Sequence, residues 1–414
     1  MATTEPTATS PHAGKPRIGK LLMRRTAIAI ALVLLMLVPG LAMMAATGQP
    51  AATYAAMGTL VGVVAVMAGG LRIGIITAVV VALLAPIVVV AGLTPITGAA
   101  IMAIMTLVVG RLATFGLHRA TMLVPIMLAW PLLAPVPWLP HDRIAELNAL
   151  LAKHGTSLAD ALTAKQAQPS GASAGAGAGS GDAISHLMME LRMDSTYLTW
   201  LMVFFFVGAI IPVIIGWLMR HRLRAPKLEM HPRRETVPYT ITITVLAAVA
   251  AYYFLDHPKI PGGAFFFAVI LVLAQVGTDI AWKLTLQRVI GTFVGVGLFI
   301  GINAMVGTTT YTEVFGLPFP LGLYLIGIAF GVAALIAKFS PRHWIYFMLI
   351  VPATAYLNAF TVEGAAGLGK ARLIDNAAGA ALVILAALIT LVASRAYSRR
   401  FPADPQAPIA ASPA

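Results

Sequence analysis

The chain has 414 residues, of which 59% are hydrophobic and only 10% are charged, and its mean hydropathy is +0.89. A soluble core cannot bury so many apolar side chains, so the composition excludes a soluble globular protein and indicates an integral membrane protein. The net charge of +13 does not indicate a nucleic-acid partner, because the Lys and Arg residues are spread through short segments between apolar runs.

The first half of the chain contains six apolar runs. Residues 1–23 are polar and end in basic residues, which predicts a cytoplasmic tail. Runs of membrane-spanning length lie at 26–46, 51–69, 73–93, 96–116, 120–136 and 196–219. Residues 137–194 interrupt them with scattered charges and a Gly-, Ala- and Ser-rich stretch, which is typical of a flexible insertion. The strongly basic segment 220–234 follows the sixth run.

The second half supplies six more apolar runs, at 237–255, 262–277, 289–306, 317–337, 345–360 and 376–394. With the N-terminus inside, the predicted cytoplasmic segments hold most of the Lys and Arg residues, as expected of correctly alternating spans. The sequence therefore predicts an all-α polytopic membrane protein of about twelve transmembrane helices. Both termini are predicted to be cytoplasmic, 137–194 to lie outside the membrane on the other face, and 401–414 to be a disordered tail.

Short motifs recur in the two halves in the same order. Arg72 opens the third span as Arg288 opens the ninth, and residues 113–119 separate spans four and five as residues 337–343 separate spans ten and eleven. Because a unit with an even number of spans keeps its orientation, we expect two tandem six-helix repeats of parallel orientation. The repeats would be 24–224 and 237–400, joined by a cytoplasmic linker at 225–236. A solute path at their interface would include Arg72.

The stretch from residue 278 to residue 303 combines a charged approach with a glycine-rich helix. Gly291 with Gly295, and Gly297 with Gly301, each form a G-x-x-x-G step. Such steps let another helix backbone approach closely, in a medium that offers no hydrophobic drive for helix association. We therefore expect these four glycines to pack against a neighbouring helix.

Five charged residues near the ends of spans nine and twelve are candidates for a solute or proton pathway. Asp279 lies four residues before Lys283, and Arg372 lies three residues before Asp375, so each pair can form a helical ion pair. The bland interpretation is charge neutralisation at the membrane surface. The functional interpretation is that Arg288 and Arg372 offer positive charge to an anionic solute, while Asp279 or Asp375 carries the proton.

Nothing in the sequence indicates an enzyme, a cofactor or a metal site. The chain contains no phosphate-binding G-x-x-x-x-G-K-[ST] loop and no G-x-S-x-G nucleophile motif. It has no Cys, which excludes disulfides and thiolate chemistry, and its nine His residues show no metal-ligand spacing.

Residues 287–297, QRVIGTFVGVG, and residues 371–379, ARLIDNAAG, resemble two arginine-containing motifs of the fusaric acid resistance protein family, in the aromatic acid exporter superfamily. The likeness covers about 237–400, and the first half keeps only Arg72 with Gly74. The resemblance implies a bacterial inner-membrane exporter of aromatic or other hydrophobic carboxylic acids that is driven by the proton gradient. Such proteins commonly work with a periplasmic adaptor and an outer-membrane channel. The chain departs from many relatives because their large cytoplasmic domain is reduced to about 220–235, and 137–194 becomes a periplasmic insertion.

Two other functions remain open at this point. A passive anion channel, as in plant relatives of this superfamily, would need the arginines but no titrating acid. A membrane scaffold or subunit of an envelope complex would depend on the outside segment 137–194 instead. The expected partners are the lipid bilayer and a small anionic or hydrophobic substrate, with no nucleic acid, and homo-oligomerisation is left open.

Overall fold

The structure is a computed structural model of the full chain. It describes residues 18–133, 194–221, 228, 230–257, 263, 266, 267, 269, 271, 278–306, 312–314, 317–319, 321–338, 342–357, 374, 377–382, 384, 385 and 388. The predicted N-terminal tail up to residue 17, the insertion 137–193, residues 225–227 of the linker and the tail 401–414 therefore lie outside the described residues.

Helices account for nearly all of the described secondary structure. In the first half these are α1 (Ile18–Thr47), α2 (Tyr54–Ala91), α3 (Pro95–Leu112), α4 (His118–Thr121), α5 (Leu123–Leu133) and α6 (Ser195–Leu218). In the second half they are α7 (Arg233–Asp256), α8 (Thr278–Val306), α9 (Leu321–Lys338) and α10 (His343–Leu357). Short 3₁₀ turns occupy Pro50–Thr53 and Ala113–Phe115. The described residues of the predicted eighth and twelfth spans are helical as well.

Local sequence fixes where two of the spans begin. The side chain of Thr94 accepts a hydrogen bond from the backbone N–H of Thr97 at 3.2 Å, and Pro95 fills the first helical position of α3, where no N–H is needed. In the same way the carboxylate of Asp194 accepts a hydrogen bond from the backbone N–H of Thr196 at 2.9 Å at the start of α6. Both starts fall within two residues of the predicted ones.

Helix α2 turns back on itself at Gly70, which has φ 83° and ψ 178°. A Cβ placed on Gly74 would lie 2.6 Å from a methyl group of Val66, eight residues earlier. In a straight helix, eight residues would separate these positions by about 12 Å. Residues 54–69 and 71–91 are therefore two limbs of a hairpin, in agreement with the predicted second and third spans.

Several polar groups in the helical interior are satisfied within their own helices. The hydroxyl groups of three buried threonines donate to the carbonyl four residues earlier: Thr59 to Ala55 at 2.9 Å, Thr106 to Met102 at 2.7 Å and Thr240 to Thr236 at 2.6 Å. Lipid offers no hydrogen-bonding partner, so internal pairing of this kind suits helices that lie in a bilayer. The threonines therefore cost the bundle little although they are buried.

Glycine contacts bring the helices of the first half together. A Cβ placed on Gly62 would overlap the carbonyl oxygen of Ala209, and one placed on Gly208 would overlap that of Ala55. The first limb of α2 and α6 are therefore in backbone contact, with the rings of Tyr54 and Phe205 stacked at 5.4 Å. The two helices run parallel, as spans two and six should.

Two further helix pairs join the two halves of the chain. Helix α3 packs against α7 in the antiparallel sense, because Gly98 faces Leu255 and Gly110 faces Thr240. Helix α1 contacts α9. The halves thus meet through spans four and seven and through spans one and ten.

The tenth span begins later than predicted, and the chain before it is not helical. Residues Thr312–Val314 and Leu317–Phe319 form a short antiparallel hairpin, β1 and β2, in which Thr312 pairs with Phe319. The apolar run that begins at residue 317 contains Pro318 and Pro320, and proline disfavours a helix interior. Helix α9 therefore starts at Leu321, four residues later than the predicted tenth span, and the described fold is helical apart from this short hairpin.

Seven helical segments among the described residues are long and apolar enough to cross a membrane. They are Thr26–Thr47, Ala51–Ala91, Pro95–Phe115, Ser195–Leu218, Thr236–Asp256, Leu286–Met305 and Leu321–Lys338. The second of these contributes both limbs of the Gly70 hairpin, and α10 is a shorter apolar helix. The protein is therefore a polytopic helical membrane protein, as the composition predicted.

We expect Gly70→Ala to lower the thermal stability of the purified protein in detergent. The backbone at Gly70 lies in a region that residues with a Cβ rarely adopt, so the substitution should cost on the order of 1–3 kcal/mol. Gly40→Ala in α1 is the matched control, because its added Cβ would meet Ala56 at an ordinary 3.5 Å. Equal melting temperatures for the two variants would contradict the hairpin.

Candidate functional site

Helix α8 carries the predicted site and is longer than a membrane is thick. It runs unbroken for 29 residues, which corresponds to about 43 Å against a hydrocarbon core of about 30 Å. Its apolar part, Leu286–Met305, is sufficient to cross the membrane, so residues 278–285 extend beyond it. Asp279 and Lys283 lie on this extension, and their side chains are outside the described part of the structure.

The first glycine step of α8 faces α10. A Cβ placed on Gly291 would overlap the carbonyl oxygen of Trp344 and lie 2.7 Å from Cβ of Phe347. One placed on Gly295 would lie 2.5 Å from the carbonyl oxygen of Met348. No side chain fits at such distances, so α8 and α10 touch backbone to backbone. The contacts advance in the same direction along both helices, which are therefore parallel.

Arg288 lies one turn before this contact and is held against α10. Its guanidinium carbon is 5.3 Å from the centroid of the Phe347 ring, and the side chain is partly buried. A cation over an aromatic face at this distance gains about 0.5–2 kcal/mol, depending on how far it is desolvated. The backbone contact at Gly291 thus sets the distance between the arginine and the ring.

Further basic side chains share the same end of these helices. Lys338 ends α9, and Arg342 and His343 begin the return along α10; all three are exposed. Because α8 and α10 are parallel, the start of α10 lies level with Arg288. Basic side chains close to a partly buried arginine raise the local concentration of anions.

The remaining predicted charges lie elsewhere or outside the described residues. Arg72 is exposed and follows the hairpin turn at Gly70 by two residues, so it begins its helical limb, whereas Arg288 lies ten residues inside α8. Arg372 and Asp375 are outside the described residues. The roles assigned to these residues stay predictions.

The second glycine step of α8 points away from α10. Within the described part of the chain, no atom comes within 4 Å of a Cβ placed on Gly297 or Gly301. The helix contact predicted for all four glycines is thus described at Gly291 and Gly295. For Gly297 and Gly301 it stays a prediction.

The contact between α8 and α10, here called the seam, has an aromatic cluster at the end opposite Arg288. The sequence alone did not identify this cluster. The rings of Phe299 on α8 and Tyr356 on α10 are 5.0 Å apart, and they pack with Leu323 of α9 and Ala355. Apolar periodicity is present at these positions, but no sequence signal tells which tyrosine of a membrane helix turns inward. The seam between α8 and α10 is therefore polar at one end and aromatic at the other.

A second group that the sequence did not reveal joins the first half to α7. The rings of His118 and His231 are 5.2 Å apart, and His118 lies 6.4 Å from the ring of Tyr239. The backbone N–H of His231 also donates to the carbonyl of Ala113 at 3.4 Å. The two histidines are more than a hundred residues apart in the chain, so no local spacing could indicate them. They fasten the start of α7 to the corner between α3 and α4.

Comparisons of the chain with protein-family models, with curated proteins and with solved structures find no match. The functional argument therefore depends on the residues of the site itself. These offer a fixed positive charge, an adjacent aromatic face and a closely packed helix pair. Such an arrangement suits the binding of an organic anion.

We expect Gly295→Ala and Gly297→Ala to differ in stability although they lie two residues apart on one helix. The added methyl group at Gly295 meets the backbone of Met348 and should cost about 1–3 kcal/mol, whereas at Gly297 replacement by alanine should be neutral or stabilising. Thermal unfolding in detergent measures the difference. Similar losses in both variants would place α8 in a different rotation about its axis.

Proposed function

We propose that this protein is a secondary transporter of the bacterial inner membrane that exports aromatic or other hydrophobic carboxylic acids, driven by the proton gradient. The observation that carries the proposal is Arg288, a partly buried arginine on a membrane-spanning helix, set against the ring of Phe347. Charged side chains are costly within a membrane, and they commonly mark the path of a solute or an ion. The fusaric acid resistance-like motif around this arginine favours the same function.

The chemistry of the pair fits such a solute. A guanidinium group can bind both oxygens of a carboxylate at once. The Phe347 ring beside it offers an apolar face for the aromatic or aliphatic body of the acid. The exposed basic residues at the same end of the helices, including Arg342, would draw the anion toward Arg288.

The transporter is proposed to contain twelve spans in two parallel repeats. If each span is replaced by its counterpart in the other repeat, the pair of spans four and seven becomes the pair of spans ten and one. Both pairs are in contact, because α3 packs against α7 and α9 contacts α1. In the same way, the pair of spans two and six becomes the pair of spans eight and twelve. Spans two and six are in contact at Ala55 and Gly208, and spans eight and twelve are in contact at Val269 and Gly379. These matched contacts support the repeat.

Active export needs a group that binds and releases a proton, and we assign that step to Asp279 or Asp375. This assignment separates the transporter from a passive anion channel, which would use the arginines without either acid. In a double-membrane envelope, export past the outer membrane would also need a periplasmic adaptor and an outer-membrane channel. The insertion 137–194 would lie on the face where such an adaptor is found.

The proposed topology places 137–194 in the periplasm and both termini in the cytoplasm. Because the chain has no native Cys, single cysteines at Ser170 and Ser180 can be labelled without background. We expect both to react with a membrane-impermeant thiol reagent in cells whose outer membrane has been permeabilised. Labelling that occurs only after lysis would invert the topology.

We expect Arg288→Ala to abolish or strongly weaken export of an anionic aromatic acid. The lost charge-assisted contact is worth about 1.5–3 kcal/mol, which corresponds to roughly tenfold or more in apparent affinity. Arg288→Lys should retain part of the activity, since it keeps the charge and loses the two-pronged geometry. Export is measured as the efflux of labelled benzoate from loaded cells, with the membrane abundance of each variant determined in parallel.

Arg342→Ala is the matched control for this experiment. It removes the same charge from the same end of the helix group, but from an exposed side chain. We expect this variant to keep most of the export rate of the unaltered protein, because the other exposed basic residues still attract the anion. If Arg288→Ala is inserted normally and also exports at that rate, Arg288 merely reaches toward the lipid headgroups, and the proposed solute path is misplaced.

A further inference from the structure

Tyr356 is buried completely, yet its hydroxyl group has no hydrogen-bonding partner among the residues that the structure describes. The residue has 0% relative exposure and lies among Phe299, Leu323 and Ala355. Within the described part of the chain, no atom forms a hydrogen bond with this hydroxyl group. A buried polar group without a partner destabilises a folded protein, and buried tyrosine hydroxyls usually find one.

Packing alone does not require a hydroxyl group at this position. Phenylalanine would fill the same space, because it differs from tyrosine only by the missing oxygen. The first half of the chain offers a comparison: when residues 113–119 are aligned with 337–343, Leu132 of α5 corresponds to Tyr356. Leu132 is also buried completely and is purely apolar. The second half of the chain therefore has a hydroxyl group, on Tyr356, at a position where the first half has the apolar side chain of Leu132.

The position of Tyr356 relates it to Arg288. Both residues lie along the contact between α8 and α10, Arg288 against Phe347 and Tyr356 against Phe299. Tyr356 follows Phe347 by nine residues, which places it about 14 Å farther along the helix axis. A solute that leaves Arg288 and moves along this seam toward the opposite face of the membrane would pass the level of Tyr356.

We propose that the Tyr356 hydroxyl group donates a hydrogen bond to the carboxylate of the exported acid at a second binding position, deeper in the membrane than Arg288. This inference rests on the proposed function. A carboxylate is the acceptor that an isolated hydroxyl group in an apolar setting binds most strongly, because hydrogen bonds to charged acceptors are roughly twice as strong as those between neutral groups. The Phe299 ring and Leu323 would contact the apolar body of the acid.

The second position is closed in this structure. Because Tyr356 is 0% exposed, a solute reaches the hydroxyl group only when a neighbouring part of the protein shifts. A transporter that exposes its site to the two sides of the membrane in turn requires such a shift.

The test compares the unaltered protein with Tyr356→Phe in detergent. Thermal unfolding is measured without ligand, and the binding of benzoate is measured by titration calorimetry. We expect Tyr356→Phe to be at least as stable as the unaltered protein without ligand, because it removes a buried hydroxyl group that pairs with no described residue. We also expect the Kd for benzoate at the second position to rise about tenfold or more, while the position at Arg288 keeps its own Kd.

Tyr54→Phe is the matched control, because Tyr54 is also 0% exposed but lies in the first half against Phe205. It should bind benzoate as the unaltered protein does. A Tyr356→Phe variant that melts at a lower temperature without ligand would show a structural role and overturn the inference. Unchanged benzoate binding in this variant would also overturn it, and would leave the proposed function intact. Failure of the unaltered protein to bind benzoate would overturn the proposed function and the inference together.

Discussion

Direct contact between helix backbones is the interaction on which the rest of this structure depends. Hydrocarbon side chains gain little by leaving lipid for a protein interior, so the helices must be held by close van der Waals contact. Glycine makes that contact possible between the first limb of α2 and α6, at Gly62 and Gly208, and between α8 and α10, at Gly291 and Gly295. Where the backbones touch, the positions of neighbouring side chains are fixed within a fraction of an ångström.

The proposed site follows from this constraint. The contact at Gly291 and Gly295 brings α8 and α10 together over their middle portions, and it leaves the two ends of the seam for functional side chains. A guanidinium group occupies one end and an aromatic pair the other. Because one rigid contact separates them, a tilt of α8 against α10 about that contact would open one end as it closes the other. The proposed transport cycle would then need no more than a tilt within a single helix pair.

The sequence predicted the elements that depend on local or periodic signals. Apolar run length located the described spans, and the predicted break between runs 51–69 and 73–93 agrees with the turn at Gly70. The G-x-x-x-G step identified Gly291 and Gly295, but it could not say that Gly297 points away from α10, because that depends on how α8 is rotated. The start of the helix in the apolar run at 317–337 was predicted too early. The two prolines near the start of this run disfavour a helix there, although the run is apolar throughout.

Features built from distant parts of the chain could not be predicted in this way. His118 and His231 meet only because α3 and α7 pack together, and nothing near either residue in the sequence indicates the other. The isolation of the Tyr356 hydroxyl group depends likewise on three helices converging. A tyrosine near the end of an apolar run is usually interpreted as an interface anchor, and only the packed structure distinguishes an inward one.

The hairpin at Gly70 has a further consequence for how the protein is made. Its two limbs are joined with no intervening loop, and the turn exposes little that is polar except Arg72. Because the limbs are joined without a loop, we expect them to enter the membrane together as one helical hairpin. The first limb would then already be in place as the surface on which α6, more than a hundred residues later in the chain, packs through Gly62 and Gly208.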